Sequence, residues 1–322
     1  MPSRKLGTAG PEVSAISLGC MGMSGMYGAS EESESIATIH AAIDAGINLL
    51  DTGDFYGMGH NEMLIGRVLE GRRGRVLLSV KFGAMRSPDG AFIGIDGRPR
   101  AVKNFAAYSL QRLRTDHLDI YRIARLDPAV PIEETIGAIG ELVKAGWVRY
   151  IGLSEVGVEM LRRAQSVHPI VDLQIEYSLI SRDIERAILP AARELGIAIT
   201  AYGVLSRGLL SNSKTTGPGD FRAHLPRFTG ANQKLVDDFS AFAAARGVTP
   251  AQLATAWVLS RGADIIPVMG ARTRKQLAEI LPALDLTLSR GEIAALEAVI
   301  HPATVSGTRY GEEQMRMLDS ER

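Results

Sequence analysis

Residues 31–51, EESESIATIHAAIDAGINLLD, decide the fold. A helical stretch ends at Gly46, and the next four residues form a short apolar run that closes on the carboxylate of Asp51. The same punctuation returns in residues 132–154 (IEETIGAIGELVKAGWVRYIGLS), 185–203 (ERAILPAARELGIAITAYG) and 251–270 (AQLATAWVLSRGADIIPVMG). In 132–154, Ile132, Ile136, Ile139, Leu142 and Val143 recur at helical spacing, and Gly146 stands where a helix C-terminus needs a positive φ. Nearly continuous apolar runs such as 47–50 and 197–200 fit parallel strands covered on both faces. Adding 15–19, 76–80, 118–123 and 171–175 brings the strands to about eight, at about 40 residues per unit. The reading is α/β, a (β/α)8 TIM barrel.

No break in composition divides the chain, so residues 1–322 are expected to form one barrel domain. At 46% hydrophobic and 22% charged the chain is ordinary for a globular protein, which sets aside disorder, collagen-like repeats and coiled coil. Lys and Arg (36) balance Asp and Glu (36), and no basic stripe interrupts that balance, so neither nucleic acid nor an anionic membrane is expected as a partner. One cysteine, Cys20, cannot close an internal disulfide, and the six histidines show no metal-ligand spacing. No metal is expected, and the setting is read as reducing and cytoplasmic. No apolar run approaches the ~20 residues of a spanning helix. A doubly wound dinucleotide fold would place G-x-G-x-x-G after the first strand, whereas here Gly19, Cys20, Met21 and Gly22 are followed by Gly25 and Gly28.

In a (β/α)8 barrel the chemistry lies at the C-terminal ends of the strands. Asp51 closes one strand, Lys81 closes VLLSVK, and Tyr56 lies in the loop DTGDFYG between them. Each alone would read as a structural partner; three together at strand ends read as a proton-transfer site. A lysine beside a phenol would lower a pKa of ~10, the aspartate would hold the lysine charged, and the tyrosine could protonate a carbonyl oxygen as hydride reaches its carbon. Two Gly- and Pro-rich stretches, 86–100 and 211–230, follow candidate strands and are expected to be loops over the site. Met21, Met23, Met26 and Met58 are expected either to line an apolar pocket or simply to pack loops.

These motifs, in order, resemble the aldo-keto reductase family from end to end: LGCMGM, DTGDFYGMGHNEMLIGRVL, LLSVKFG, LDIYRIARLDP, ELVKAGWVRYIGLSE, LQIEYSLISRDIE, AYGVLSRGLL and IIPVMGARTRKQLAEI. The resemblance implies a barrel that binds a nicotinamide cofactor without a Rossmann fold and interconverts an aldehyde or ketone with its alcohol. Tyr56 becomes the acid, with Lys81 and Asp51 as its partners. The carboxamide is then expected at Ser154, Glu155 and Gln174, the ring on Tyr202, the pyrophosphate along Gly203, Leu205, Ser206, Arg207 and Gly208, and the adenosine end at Gly270, Arg272, Gln276 and Glu279. Arg272, with Arg274 beside it, can fork onto a 2′-phosphate, which favours NADPH/NADP+.

One member of the family's tetrad is missing. Where similar proteins carry a histidine, this chain reads Ile123-Ala124-Arg125-Leu126-Asp127. An alanine donates nothing. Either Arg125, or Arg122 facing the barrel with Glu176 as its partner, takes over orientation, or activity is altered. An NADP(H)-binding regulatory protein with little turnover is the alternative reading.

Overall fold

Chain entry at the barrel floor comes first. β1 (Ser3–Lys5) and β2 (Glu12–Ser14) form an antiparallel hairpin. Its Leu6 and Val13 pack against Leu49, Ile120, Val171, Ala198 and Ile266 and plug the barrel from below. This computed structural model describes residues 1–215 and 220–322; part of the expected 211–230 loop therefore lies outside the described residues.

The barrel strands are β3 (Ser17–Gly19), β4 (Leu49–Gly53), β5 (Leu77–Phe82), then, after a hairpin of β6 (Ala84–Arg86) and β7 (Phe92–Ile95), β8 (Leu118–Ile123), β9 (Val148–Ser154), β10 (Ile170–Glu176), β11 (Ala198–Tyr202) and β12 (Ile265–Gly270). All eight pair in parallel, and β12 returns to β3 to close the ring. The expected (β/α)8 barrel is what the chain forms. Helices α1 (Glu32–Asp44), α2 (His60–Val68), α3 (Pro99–Leu113), α4 (Ile132–Lys144), α5 (Val158–Val167), α6 (Ile188–Glu194), α7 (Gln233–Ala245), α8 (Pro250–Ser260) and α9 (Arg274–Ile280) lie between and after the strands. α10 (Arg290–Val299) and α11 (Glu312–Arg316) belong to the C-terminal segment.

One loop expectation changes. Residues 86–100 are not one loop: they contribute to the β6–β7 hairpin and enter α3 at Pro99. Alternation along a strand is blind to such an insertion, because the glycines that mark a loop also mark a hairpin turn.

Inside the barrel, an apolar floor gives way to a polar layer. Arg122, fully buried, pairs with Asp172 at 2.9 Å, and Thr200 donates to the same carboxylate at 2.6 Å. A Cβ on Gly152 would stand 2.4 Å from Asp172 Oδ1 and 2.9 Å from Arg122 Nε, so only glycine lets this pair cross the barrel. Arg122 therefore faces inward as expected, but its partner is Asp172, four residues before Glu176 on β10. It is spent on a buried ion pair.

Candidate active site

β4 delivers Asp51 and β5 delivers Lys81 to adjacent ends of the barrel, in register Gly53 to Lys81. Lys81 Nζ lies 2.5 Å from Asp51 Oδ1. Ser79 and Gln174 donate to Asp51 Oδ2 at 2.8 and 2.7 Å. Burial opposes ionisation of Asp51, but the charges of Lys81 and Arg122 outweigh it and hold the carboxyl below its ordinary value. Burial also pulls the Lys81 ammonium down, with Asp51 partly restoring it.

Tyr56 sits over this pair, with Lys81 Nζ 5.1 Å from its ring centroid. The loop that carries it needs glycine: Gly57 and Gly59 have φ of 56° and 93°, and a Cβ on Gly59 would reach Arg112 at 2.9 Å. Asn61, at the start of α2, ties this loop to β4 and to the end of β3 by accepting from Thr52 at 2.7 Å and donating to Cys20 O at 2.8 Å. The phenol is not driven toward phenolate as the sequence suggests. Burial, with Asp51 and neighbouring tyrosines behind it, pushes Tyr56 well above its ordinary pKa. Lys81 is committed to Asp51, and Tyr56 faces a cavity of about 590 Å³.

That cavity gathers most of the residues singled out in the sequence. Asp51, Tyr56, Lys81, Ser154, Gln174, Tyr202, Gly203, Leu205, Arg207, Gly208, Gly270, Arg272 and Gln276 line it. Gln174 spends its amide N–H on Asp51, which leaves its oxygen as an acceptor. Arg272 forks onto the carbonyls of Tyr27 and Ala29 at 2.9 and 3.4 Å, and Gln276 accepts from the Arg272 amide at 2.8 Å. Arg274 is engaged elsewhere, paired with Glu34 at 2.8 Å.

Glu155, Ser206 and Glu279 do not line the cavity. Glu155 has φ 54° and is buried, and its two carboxylate oxygens are bonded by Arg309 at 2.9 Å each. Tyr202 and Ser320 donate to it as well, at 2.7 and 2.5 Å. Burial opposes its ionisation, but Arg309 outweighs that and holds Glu155 down at about 2. It anchors the C-terminal segment instead of meeting a carboxamide. Ser206 is buried in a tight turn, with φ 44°, and its amide is used by Gly203 O at 2.6 Å. Glu279 is exposed on α9. Of the four methionines, Met21, Met26 and Met58 line the cavity, while Met23 is buried in the core.

The C-terminal strap is almost unmarked in the sequence. Arg309 joins Glu155, Glu176 at 3.7 Å and Glu321 at 2.5 Å, and Arg207 and Arg227 each pair with Glu176 at 3.0 Å. Tyr310 stands beside Tyr202, hydroxyl to hydroxyl 2.8 Å, with Arg207 4.4 Å over its ring. Tyr310, Gln314, Met317 and Leu318 close one side of the cavity. An Arg-Tyr dipeptide past the last long helix is the only signal, and it has no periodicity to mark it.

Residues 15–301 match the Aldo/keto reductase family. The chain belongs to that family. It is 39% identical over 320 residues to a probable aldo-keto reductase 1 of Glycine max, covering 95% of this chain and 91% of that protein. Among solved structures it is similar to the glycerol dehydrogenase of Gluconobacter oxydans, with a TM-score of 0.84 and 29% identity over 93% of this chain and 96% of that one. It is also similar to a thermostable aldo-keto reductase solved with the inhibitor epalrestat, with a TM-score of 0.74 and 29% identity over 93% of this chain and 100% of that one. Membership makes this aldo-keto reductase an oxidoreductase of small-molecule carbonyl compounds that uses a nicotinamide cofactor. The strap, residues 302–322, falls beyond the matched stretch.

Proposed function

We propose that this aldo-keto reductase interconverts an aldehyde or ketone with its alcohol using NADPH/NADP+, with Tyr56 as the proton donor. The observation that carries the reading is the placement of Tyr56 in the cavity lining, over a closed Asp51–Lys81 pair. Lys81 and Asp51 act as positioning residues: their mutual charge keeps a buried cation beside the phenol where an uncompensated one would be expelled.

The cavity suits a dinucleotide at both ends. Ser154 and the free oxygen of Gln174 offer a donor and an acceptor at one end, and Arg272, which no described carboxylate neutralises, offers a cation at the other. Tyr202, Gly203, Leu205, Arg207, Gly208, Gly270 and Gln276 lie between or beside them and would complete the binding surface. A dihydronicotinamide held there would supply the hydride for the carbonyl carbon. The carbonyl π pair moves onto oxygen, and Tyr56 gives that oxygen its proton. In the reverse direction Tyr56 receives it.

Ala124 removes the histidine donor, and the cation left beside the gap is Arg125, since Arg122 is fixed to Asp172. The test is to follow NADPH absorbance with a panel of aldehydes and ketones while titrating cofactor binding by fluorescence. Turnover supports the reading. Tight binding without turnover of any of them moves the assignment to a cofactor-binding regulatory protein.

A further inference from the structure

Resting on that reading, we propose that Arg125 anchors a carboxylate on the substrate, so that the site takes carbonyl compounds that carry an acid group.

Among the described residues lining the cavity the only carboxylate is Asp51, against six cations. Three of the six have partners: Lys81 has Asp51, Arg207 has Glu176 and Arg222 has Asp220. Arg272 belongs with the far end of the cavity, on the segment after β12. That leaves Arg125 and Arg86, and no described carboxylate lies within ion-pair distance of either. Arg125 makes a hydrogen bond to its neighbour's carbonyl, Ala124 O, at 2.6 Å, and long ones of 3.4 Å to Ser154 Oγ and Tyr310 OH. A guanidinium has five N–H donors, and those partners are neutral. The charge of Glu155 is felt by Arg125, but no ion pair joins the two, and both Glu155 oxygens are bonded by Arg309.

A guanidinium that lines the cavity with no carboxylate bonded to it keeps N–H donors for an anionic ligand. Position says which ligand. Arg125 stands two residues past the end of β8, which pairs with the strand of Lys81, and it contacts Ser154 at the end of β9. It therefore lies at the reacting end, by Tyr56, and Ala124 in front of it intrudes only a methyl. Arg86, on the β6–β7 hairpin, adds a second uncompensated positive charge at the mouth, which would draw anions inward. Phe55, Met58 and Phe92 supply the apolar wall for the carbon chain between acid and carbonyl. The carboxylate does not react; it sets the pose.

The experiment compares 4-oxobutanoate with butanal, which share a terminal aldehyde and differ by the acid. The parent should prefer the acid in kcat/KM by about 10- to 100-fold, the range of one charged hydrogen bond, and Arg125→Met should bring that ratio close to one, with Arg125→Lys between. Binding is read separately: butyrate should bind the NADP+-loaded parent measurably more tightly than butyramide in calorimetry, and that difference should vanish in Arg125→Met. Equal kcat/KM for the two aldehydes in the parent, or a butyrate preference that survives Arg125→Met, overturns the proposal. Absent turnover of both aldehydes speaks against the reductase reading, while the calorimetry still decides this one.

Discussion

Tyr56, Lys81 and Asp51 were legible because each closes or follows a strand, and strand ends share one face of a barrel whatever the details of register. What the sequence could not supply was the charge state. The expected phenolate requires a lysine charge free to act on the phenol, and the 2.5 Å contact with Asp51 uses that charge up. Tyr56→Phe is therefore expected to lower kcat by about 10²- to 10⁴-fold, with cofactor affinity by fluorescence nearly unchanged; retention of more than about a tenth of the parent rate would remove Tyr56 as the acid. Ala124 was equally visible, but its meaning depends on Arg125. If the methyl makes room for the acid group of a substrate, Ala124→His should lower kcat/KM for 4-oxobutanoate roughly 10-fold or more, since displacing reacting atoms by about 1 Å costs about 100-fold. A rise for simple aldehydes instead would show that the alanine is merely a lost donor. Arg122 lies on the inner face as parity indicates, but Asp172, Gln174 and Glu176 share that face of β10, and alternation alone does not say which of them Arg122 meets.

At the scale of elements, helix–glycine–strand units were readable because each buries a periodic face, and the segments that escaped are those without a period. The floor hairpin, the β6–β7 hairpin and the strap are short or irregular, held by a few specific contacts. The strap shows the consequence. Three carboxylates, Glu155, Glu176 and Glu321, meet three guanidinium groups, Arg207, Arg227 and Arg309, in a balanced cluster. Removing one member leaves an uncompensated buried charge, so Arg309→Met should cost about 3–5 kcal/mol in denaturant unfolding and expose residues 302–322 to limited proteolysis. Adding Glu155→Gln should return part of that loss, because it removes the stranded charge; a double variant as unstable as the sum of the singles would refute the charge argument. The segment after β12 offers a cleaner separation. Arg272 is free of carboxylates while Arg274 is bound to Glu34, so Arg272→Ala should weaken NADPH binding roughly 10- to 100-fold and NADH binding far less. Equal losses for the two cofactors would place the phosphate contact elsewhere.

For the whole molecule, the barrel concentrates ionisable groups in a small volume, and not all of them serve the site. Asp54, three residues beyond Asp51, is only 8% exposed and lies close to the Glu62–Arg112 pair. Burial, and then the charge of Glu62, pushes its carboxyl up to about 8 despite Arg112. The sign of the effect on stability follows from proton counting. Between the ordinary carboxyl value of ~4 and about 8, the folded chain holds a proton on Asp54 that the unfolded chain has released, so this group's contribution falls by about 1.4 kcal/mol per pH unit as pH rises. Above the folded value both states are ionised and the loss stops growing. Asp54→Asn keeps the size and removes the titration. Its stability relative to the parent, by chemical denaturation, should therefore climb steadily from pH 5 to about 8 and level off beyond. A difference that stays constant across that window would mean that Asp54 is charged in the folded protein and that the neighbouring Arg112 reaches it as well as Glu62.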